Sequence, residues 1–295
     1  MILIRSSKFL RFYTIKTFKP SSALNPTRSL NICHYSLSSQ PQASRQVSKD
    51  PSQTSRAELS MKKFWKTVDI HQLEDGQYSV RLDSRNLKTP SGNRLLIPRS
   101  KLSLAILIAR EWDQQQKILK QHSLPLTSLV SRAIDGINQN DKASLISGLI
   151  SYLDTDTICF QESKPASLVK LQAKHWDPIV GLIKDRYEVD LRVNFDSIKF
   201  SPQSDSSKLK LRSIVDRFDN FKLAAFERAV HVTKSFTIAL GLVEGHLTVD
   251  QASDASRVEV LSQISRWGEV EDTHDVDHHE IRMKLGSVAC MLIDT

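Results

Sequence analysis

The chain has 295 residues with 41 basic and 33 acidic side chains, a net charge of +8. That length allows one or two domains with an ample core, so neither disulfides nor a metal is needed to hold the fold together. Residues 1–49 carry eight of the cations and no acid, so the remainder is balanced at 33 and 33, and the basic excess that would otherwise point to nucleic acid belongs to one terminal segment.

That segment, with ten serines and apolar residues such as Ile2, Ile4, Phe9 and Leu10 among its cations, has the composition of an organelle transit peptide. A disordered basic tail is the alternative. Residues 50–61, with 40–49 before them, read as a linker containing the cleavage region. Of three cysteines, Cys33 falls in the transit segment, and Cys159 and Cys290 read as small buried hydrophobes in a thiol-reducing compartment. No apolar run approaches the ~18 residues of a spanning helix, so no membrane insertion is expected.

From Phe64 the apolar pattern has period two. A strand around Phe64–Ile70, a second through Tyr78, Val80 and Leu82, and a short third at Leu95–Ile97, separated by Asp75-Gly76 and Ser91-Gly92-Asn93, predict a small antiparallel sheet over 62–98 that leans on the helices after it. Residues 99–295 are predicted helical, an α+β chain overall. Ser100 is the expected N-cap of the first helix. Leu102–Ile137 predicts two consecutive amphipathic helices joined at Pro125. Leu126, Leu129, Val130, Ala133, Ile134 and Ile137 share one face of the second. Asp141 is the expected cap of a third helix with Leu145, Ile146, Leu149, Ile150 and Leu153 inward.

Asp154-Thr-Asp156-Thr has oxygens enough to suggest a divalent ion, but the same groups serve a helix exit and the next turn. A helix from Ser167 turns Leu168, Leu171 and His175 inward, and Pro178 either kinks it or begins another capped by Asp177. Val189, Leu191, Val193 and Phe195 predict a strand or extended arm, and Ser201–Ser207 a loop. Leu209–Leu242 predicts two helices with a break at Asp219-Asn220, the second becoming almost wholly apolar at Phe236–Val243 and therefore central there. Thr248 and Gln251 form a capping box for a helix over 249–267, and Val276–Ile293 predicts the last helix.

Little of this spells chemistry. His274, His278 and His279 with Asp275, Asp277 and Glu280 space two imidazoles one turn apart, as zinc would want, but no third ligand or general-base glutamate accompanies them, and a solvated acidic first turn is the competing reading. A nucleophile elbow, a glycine-rich phosphate loop and a Cys-x-x-Cys are all absent, so no cofactor is expected. Trp112, Trp176 and Trp267 read either as amphipathic residues at the margin of the core or as partner anchors.

Phe64-Trp65, Leu82-Asp-Ser-Arg-Asn-Leu-Lys-Thr-Pro90 with Leu96-Ile-Pro98, Glu111-Trp112-Asp-x-Gln115, Leu124-Pro-Leu-Thr127 leading to Ala133-Ile-Asp135, Leu153-Asp-Thr-Asp-Thr157, Trp176-Asp-Pro178, and Ser256-Arg257-x-Glu259 with Gln263 and Trp267-Gly268 stand in one order over residues 62–290. Together they resemble the mitochondrial F1-ATPase assembly chaperones that handle the alpha subunit. The resemblance implies a non-enzymatic matrix chaperone, monomeric when free, that binds unassembled alpha subunit, shields its beta-contacting surface and leaves on assembly. It implies a small β domain before a larger helical one, and a client site using Glu259, Arg257, Gln263 and Trp112. Glu259 matches the family's acid after Ser-Arg, and Trp112 the tryptophan of its Glu-Trp motif. Two departures stand out: Val260 and Leu261 replace acids common in relatives, and Ser84 replaces a turn glycine. An apolar groove rimmed by Arg257 and Glu259 is the expected binding surface. A general matrix holdase is the alternative, and a metal-dependent enzyme using Asp154, Asp156 and the histidines a more distant one.

Overall fold

The computed structural model describes residues 62–197 and 201–294. The transit segment and linker expected over 1–61 lie outside the described residues. The sheet is built around β2 (Tyr78–Leu82), which pairs antiparallel with β1 (Val68–Gln72), β3 (Arg85–Asn86) and β4 (Leu96–Ile97). The period-two pattern sends Val80, Leu82 and Ile97 into the core. The first strand begins later than Phe64, because residues 62–65 run beside 117–118 instead, through a bridge from Lys62 to Ile118 and a 3.1 Å bond from Lys63 N to Lys117 O. β3 has no periodic signature of its own. It follows a tight turn in which Asp83 takes φ +55 and its carboxylate accepts the Lys66 and Thr67 amides at 3.0 and 2.9 Å.

The sheet packs on α1 (Leu102–Asp113), whose buried face is Leu104, Ala105 and Ile108. Ser100 is not its N-cap: Lys101 holds that position without a side-chain bond, and the Ser100 hydroxyl and Lys101 ammonium reach Asp294 near the far end of the chain, at 3.1 and 3.0 Å. The two helices expected over Leu102–Ile137 do not meet at the proline. Residues 114–124 intervene, with one 3-10 turn at Gln121–Ser123, and α2 (Pro125–Asp135) starts with the proline at its first position. Gln115 ties this stretch down, donating to Glu111 O and Ser123 Oγ and accepting from Lys120 N.

The start of α2 is enclosed and Leu124 offers it no capping side chain. Glu111 supplies the cap from α1: its carboxylate accepts Leu126 N at 2.7 Å, Thr127 N at 3.0 Å and the Thr127 hydroxyl at 2.7 Å. Trp112 completes the joint, its indole N–H donating to Thr127 Oγ1 at 3.0 Å. An anion satisfying orphan amides at the positive end of a helix is favourable, although burial pushes the Glu111 carboxyl up and the bonds from Leu126 and Thr127 only partly restore it. At the other end of α2, Asp135 clasps the 89–93 turn through Thr89 Oγ1 at 2.7 Å, Asn93 Nδ2 at 2.9 Å and Ser91 N at 3.1 Å.

The helices α3 (Gln139–Ile150), α4 (Ala166–His175), α5 (Asp177–Tyr187), α6 (Asp205–Val215), α7 (Asn220–Thr233), α8 (Phe236–Val243), α9 (Val249–Ser256), α10 (Val258–Trp267) and α11 (His274–Leu292) follow. α3 is capped by Asn138, whose side chain accepts Asp141 N at 2.9 Å, so Asp141 is a first-turn acid. Pro178 begins a new helix, with Trp176 at its cap and Asp177 inside its first turn. The extended arm after Val189 forms β6 (Asn194–Phe195), parallel to β5 (Phe160–Gln161), a pairing between distant segments that local pattern does not announce. Helix replaces the second half of the loop expected over 201–207, because Ser204 accepts Ser207 N and caps α6. The two helices expected over Leu209–Leu242 are three: the break at Asp219 is present, and a further one follows Lys234, whose φ of +56 ends α7.

Every residue of α8 is buried, as its unbroken apolar run requires. Ser235 caps α8 by accepting Ile238 N at 3.0 Å, and Asp156, wholly enclosed, supports the same helix start by accepting the Thr237 amide at 2.9 Å and hydroxyl at 3.0 Å, and also accepts Ile158 N. Asp154 instead takes Gln203 N and Lys208 Nζ. The pair therefore serves two different joints: the local turn chemistry expected for it is present only in the Ile158 bond, and the other bonds tie distant segments together. Cys159 is buried and its thiol is pushed up by burial, while Cys290 is partly exposed. One hydrophobic cluster runs from Trp65 in the sheet region to Met291 in α11.

Truncating Glu111 to Ala leaves two enclosed amides without acceptors and is expected to cost about 2–3 kcal/mol in urea unfolding, with Glu111→Gln milder because one acceptor oxygen remains. Trp112→Arg removes the indole donor, places a charge against the core and is expected to lower Tm markedly. For Asp135, burial opposes ionisation, but the bonds from Asn93, Thr89 and Ser91 outweigh it and hold the carboxyl below its ordinary 3.8. A depressed pKa contributes stability above the unfolded value that is lost as pH falls through the folded one. The Tm gap between wild type and Asp135→Asn should therefore be constant near neutrality and shrink below pH 3.8.

Candidate functional site

The helix predicted over 249–267 is two. Its first part starts at the expected capping box, with Thr248 Oγ1 accepting Gln251 N and Gln251 Oε1 accepting Thr248 N. It stops at Ser256, and Arg257, at φ −113 and ψ 11, turns the chain into α10. The reason is tertiary. Arg257 is only 3% exposed: its guanidinium is drawn inward, donates to His274 O at 2.9 Å and lies 3.7 Å from the Asp277 carboxylate at the start of α11. The expected groove rim thus loses Arg257, which braces α10 against α11 from beneath.

What α10 presents outward is a stripe. Glu259 in the first turn and Gln263 one turn later are exposed, and Trp267 at the end is 72% exposed with the Arg266 guanidinium 4.8 Å from its ring centroid. The carboxylate lies near the positive end of the helix, where it stabilises the turn that displays it. The opposite face carries Val258 and Ser262, both buried, and packs on α4, where Ser167 and Ser262 hydroxyls sit 3.3 Å apart. Leu261 and Val260, standing where acids were expected, are half-buried. Beyond Trp267, Gly268 takes φ +88, and Val270 and Val276 are 56% and 54% exposed, continuing the apolar surface past the helix end. Arg257 is not part of the exposed face, which carries Glu259, Gln263 and, at the helix end, the exposed Trp267 indole.

The three tryptophans have separate fates. Trp176 is 1% exposed with its indole N–H bonded to Ala255 O at 2.7 Å, which anchors α9 to the start of α5. Trp112 is half-buried in the Glu111 joint, remote in role from the α10 stripe, so the structure does not gather it with Glu259 and Gln263 into one patch. Trp267 alone of the three is displayed. The histidines form no metal centre: His274 Nδ1 accepts Val270 N at 3.0 Å, His278 and His279 stack on each other, and no grouping of potential metal ligands occurs among the described residues. His278 is held below the ordinary histidine range by burial, then by Arg257 and Arg282. Sequence reasoning had no signal for Arg257 as a brace, since its partners lie 17 and 20 residues away on another helix.

The family model described as ATP12 chaperone protein matches residues 62–184. The mitochondrial atp12 protein of Schizosaccharomyces pombe is 34% identical over 240 residues, covering 79% of this chain and 82% of that protein. The mitochondrial ATP12 protein of Saccharomyces cerevisiae is 30% identical over 297 residues, covering 86% and 91%. Among solved structures, Atp12 from Paracoccus denitrificans superposes with a TM-score of 0.69 at 28% identity, over 80% of this chain and 99% of that one. The Atu1473 protein of Agrobacterium tumefaciens shares the fold, with a TM-score of 0.71 at 24% identity over 83% and 91%. Motif order, architecture and similarity over most of the described length agree, and the chain belongs to the ATP12 chaperone family.

Proposed function

We propose that this chain is a mitochondrial matrix chaperone for F1-ATPase assembly, delivered by a cleaved transit peptide over 1–49, that binds unassembled alpha subunit and covers its beta-contacting surface until the hexamer forms. Membership of the ATP12 family supports the chaperone role, and the names of the yeast relatives support the mitochondrion. The observation that carries the client site is the α10 face, where Glu259, Gln263 and Trp267 are displayed on a helix braced from within by Arg257. Trp267 is the anchor of this surface, and Glu259 sets orientation and rejects wrong partners, the usual division between an aromatic hot spot and a rim charge. Arg257 acts through α10 as a positioning residue. Trp112 supports the site through the fold. No step of this role calls for bond chemistry or a cofactor, and the client is retained by complementarity alone.

Glu259→Lys is expected to lower Tm only slightly, through the loss of a carboxylate at a helix start, while abolishing capture of purified alpha subunit and F1 assembly in a strain carrying it. Normal assembly in that strain would count against the site. Arg257→Ala should behave differently: it empties an enclosed cation position, is expected to cost about 2–4 kcal/mol of stability, and should lose binding together with Tm.

A further inference from the structure

The entry into the sheet region builds a second surface of opposite character. Phe64 stands edge-on to Trp65 with ring centroids 5.1 Å apart, and Trp65 lies 5.1 Å from Trp112, so the three rings form a rib where residues 62–65 cross the loop after α1. On one side of the rib is a cleft of about 840 Å³ lined by Trp65, Gln115, Ile118, Lys117 and Lys120, with Lys63 at its edge. On the other is a cleft of about 550 Å³ floored by Leu82, Leu87 and Trp112 and edged by Arg85, Lys88 and Arg94. Phe64 and Ile118 rise from this surface at 65% and 57% exposure.

The charges here are unbalanced. Lys63 is committed, its ammonium donating to the Asp113 and Gln115 carbonyls at 3.2 and 3.0 Å, where it closes the end of α1. Lys117, Lys120, Arg85, Lys88 and Arg94 form no ion pair with any described residue. The neighbouring carboxylates are already engaged, Glu111 by the start of α2 and Asp113 by Arg110 at 2.9 Å. An independent sign comes from Trp65. It is 4% exposed, it lines the larger cleft, and its indole N–H is enclosed with no acceptor among the described residues. An enclosed donor without a partner costs free energy that an incoming oxygen recovers.

We propose that these clefts hold an acidic segment of the client polypeptide, with carboxylates on the lysine and arginine edges, an apolar side chain against the rib, and a carboxylate or peptide oxygen accepting the Trp65 indole N–H. This rests on the client reading above and adds a second contact, of opposite charge to the Glu259 face. The chain's own residues 1–49 are a poor occupant, since they carry eight cations and no acid. Single-stranded nucleic acid needs open aromatic faces for its bases, and the two indoles at the centre of the rib are largely covered. A flat anionic membrane surface meets Phe64 and Ile118 but does not enter the concavities.

The test uses the full chain with a fluorescein-labelled peptide of repeating Asp-Glu-Phe, and in parallel with purified alpha subunit. Wild type is expected to bind the peptide in a salt-dependent way, and the pair Lys117→Glu with Lys120→Glu to weaken both peptide and alpha subunit about tenfold or more at unchanged Tm. The matching Gln pair serves if reversal disturbs the fold. Trp65→Phe removes the donor and part of a buried bicycle, so Tm is expected to fall, and at a temperature where the variant is fully folded peptide affinity should drop several-fold, a loss at full folding that a purely structural indole would not produce. Peptide affinity untouched by charge reversal overturns the assignment, as does binding of oligo-dT or anionic vesicles in place of the peptide. The two readings fail separately. If wild type ignores alpha subunit yet binds the peptide through these lysines, the client reading falls and the clefts stand. If alpha subunit binding is lost on Glu259→Lys but indifferent to Lys117 and Lys120, the clefts fall and the client reading stands.

Discussion

The helix Pro125–Asp135 begins inside the fold with no capping side chain of its own, and Glu111 from the preceding helix supplies the missing acceptors. Much of the architecture follows from that loan. For Glu111 to reach the amides of Leu126 and Thr127, α1 has to end beside the start of α2, and the intervening residues have to fold back, as Gln115 makes them do. Trp112, next in sequence, then faces Thr127 on one side and Trp65 on the other, which fixes the sheet region against the helices. Asp135 repeats the device at the far end of the same helix, gripping the 89–93 turn. One short helix is thus clasped at both ends by carboxylate chemistry, and the sheet, too small to stand alone, is held to it.

The same logic explains what could be read in advance and what could not. Spacing alone marked the buried face of α2, the all-buried α8 and the capping box at Thr248, because each depends on residues within two turns of one another. Caps chosen from composition failed at Ser100 and Asp141, where a suitable side chain was present but a neighbour did the work. The helix break at Arg257 was hidden for the converse reason. Nothing in Ser256-Arg257-Val258 opposes helix; the chain turns because burying the guanidinium against His274 O and Asp277 requires it. The family motif carried Glu259 and Gln263 to the surface correctly, but it grouped with them an arginine that acts from beneath and a tryptophan that serves a different joint.

Placing a guanidinium under an exposed helix has a physical rationale. A buried arginine adds little net stability over an apolar residue, but Arg257 ties two helices together through one hydrogen bond, Nη2 to His274 O, and a longer ion pair to Asp277, its Nε having no hydrogen-bond acceptor among the described residues. That tie bears on the angle between α10 and α11, and so on how Glu259, Gln263 and Trp267 are presented. Precision of display matters more for a chaperone with one client than for one that accepts any unfolded chain.

The distribution of exposed apolar groups bears on that distinction. A promiscuous holdase works through a broad, adaptable apolar surface. Here the large exposed side chains near the α10 stripe are Trp267, Val270 and Val276, set among Glu259, Arg266 and the acidic first turn of α11, while Phe64 and Ile118 stand among lysines and arginines. Phe64 and Ile118 therefore stand among cations, whereas Trp267 has the Arg266 guanidinium against its ring on a helix that also carries Glu259. If the proposed client meets both places, the cationic one selects for acids, since an apolar contact made together with a like-charge clash returns little.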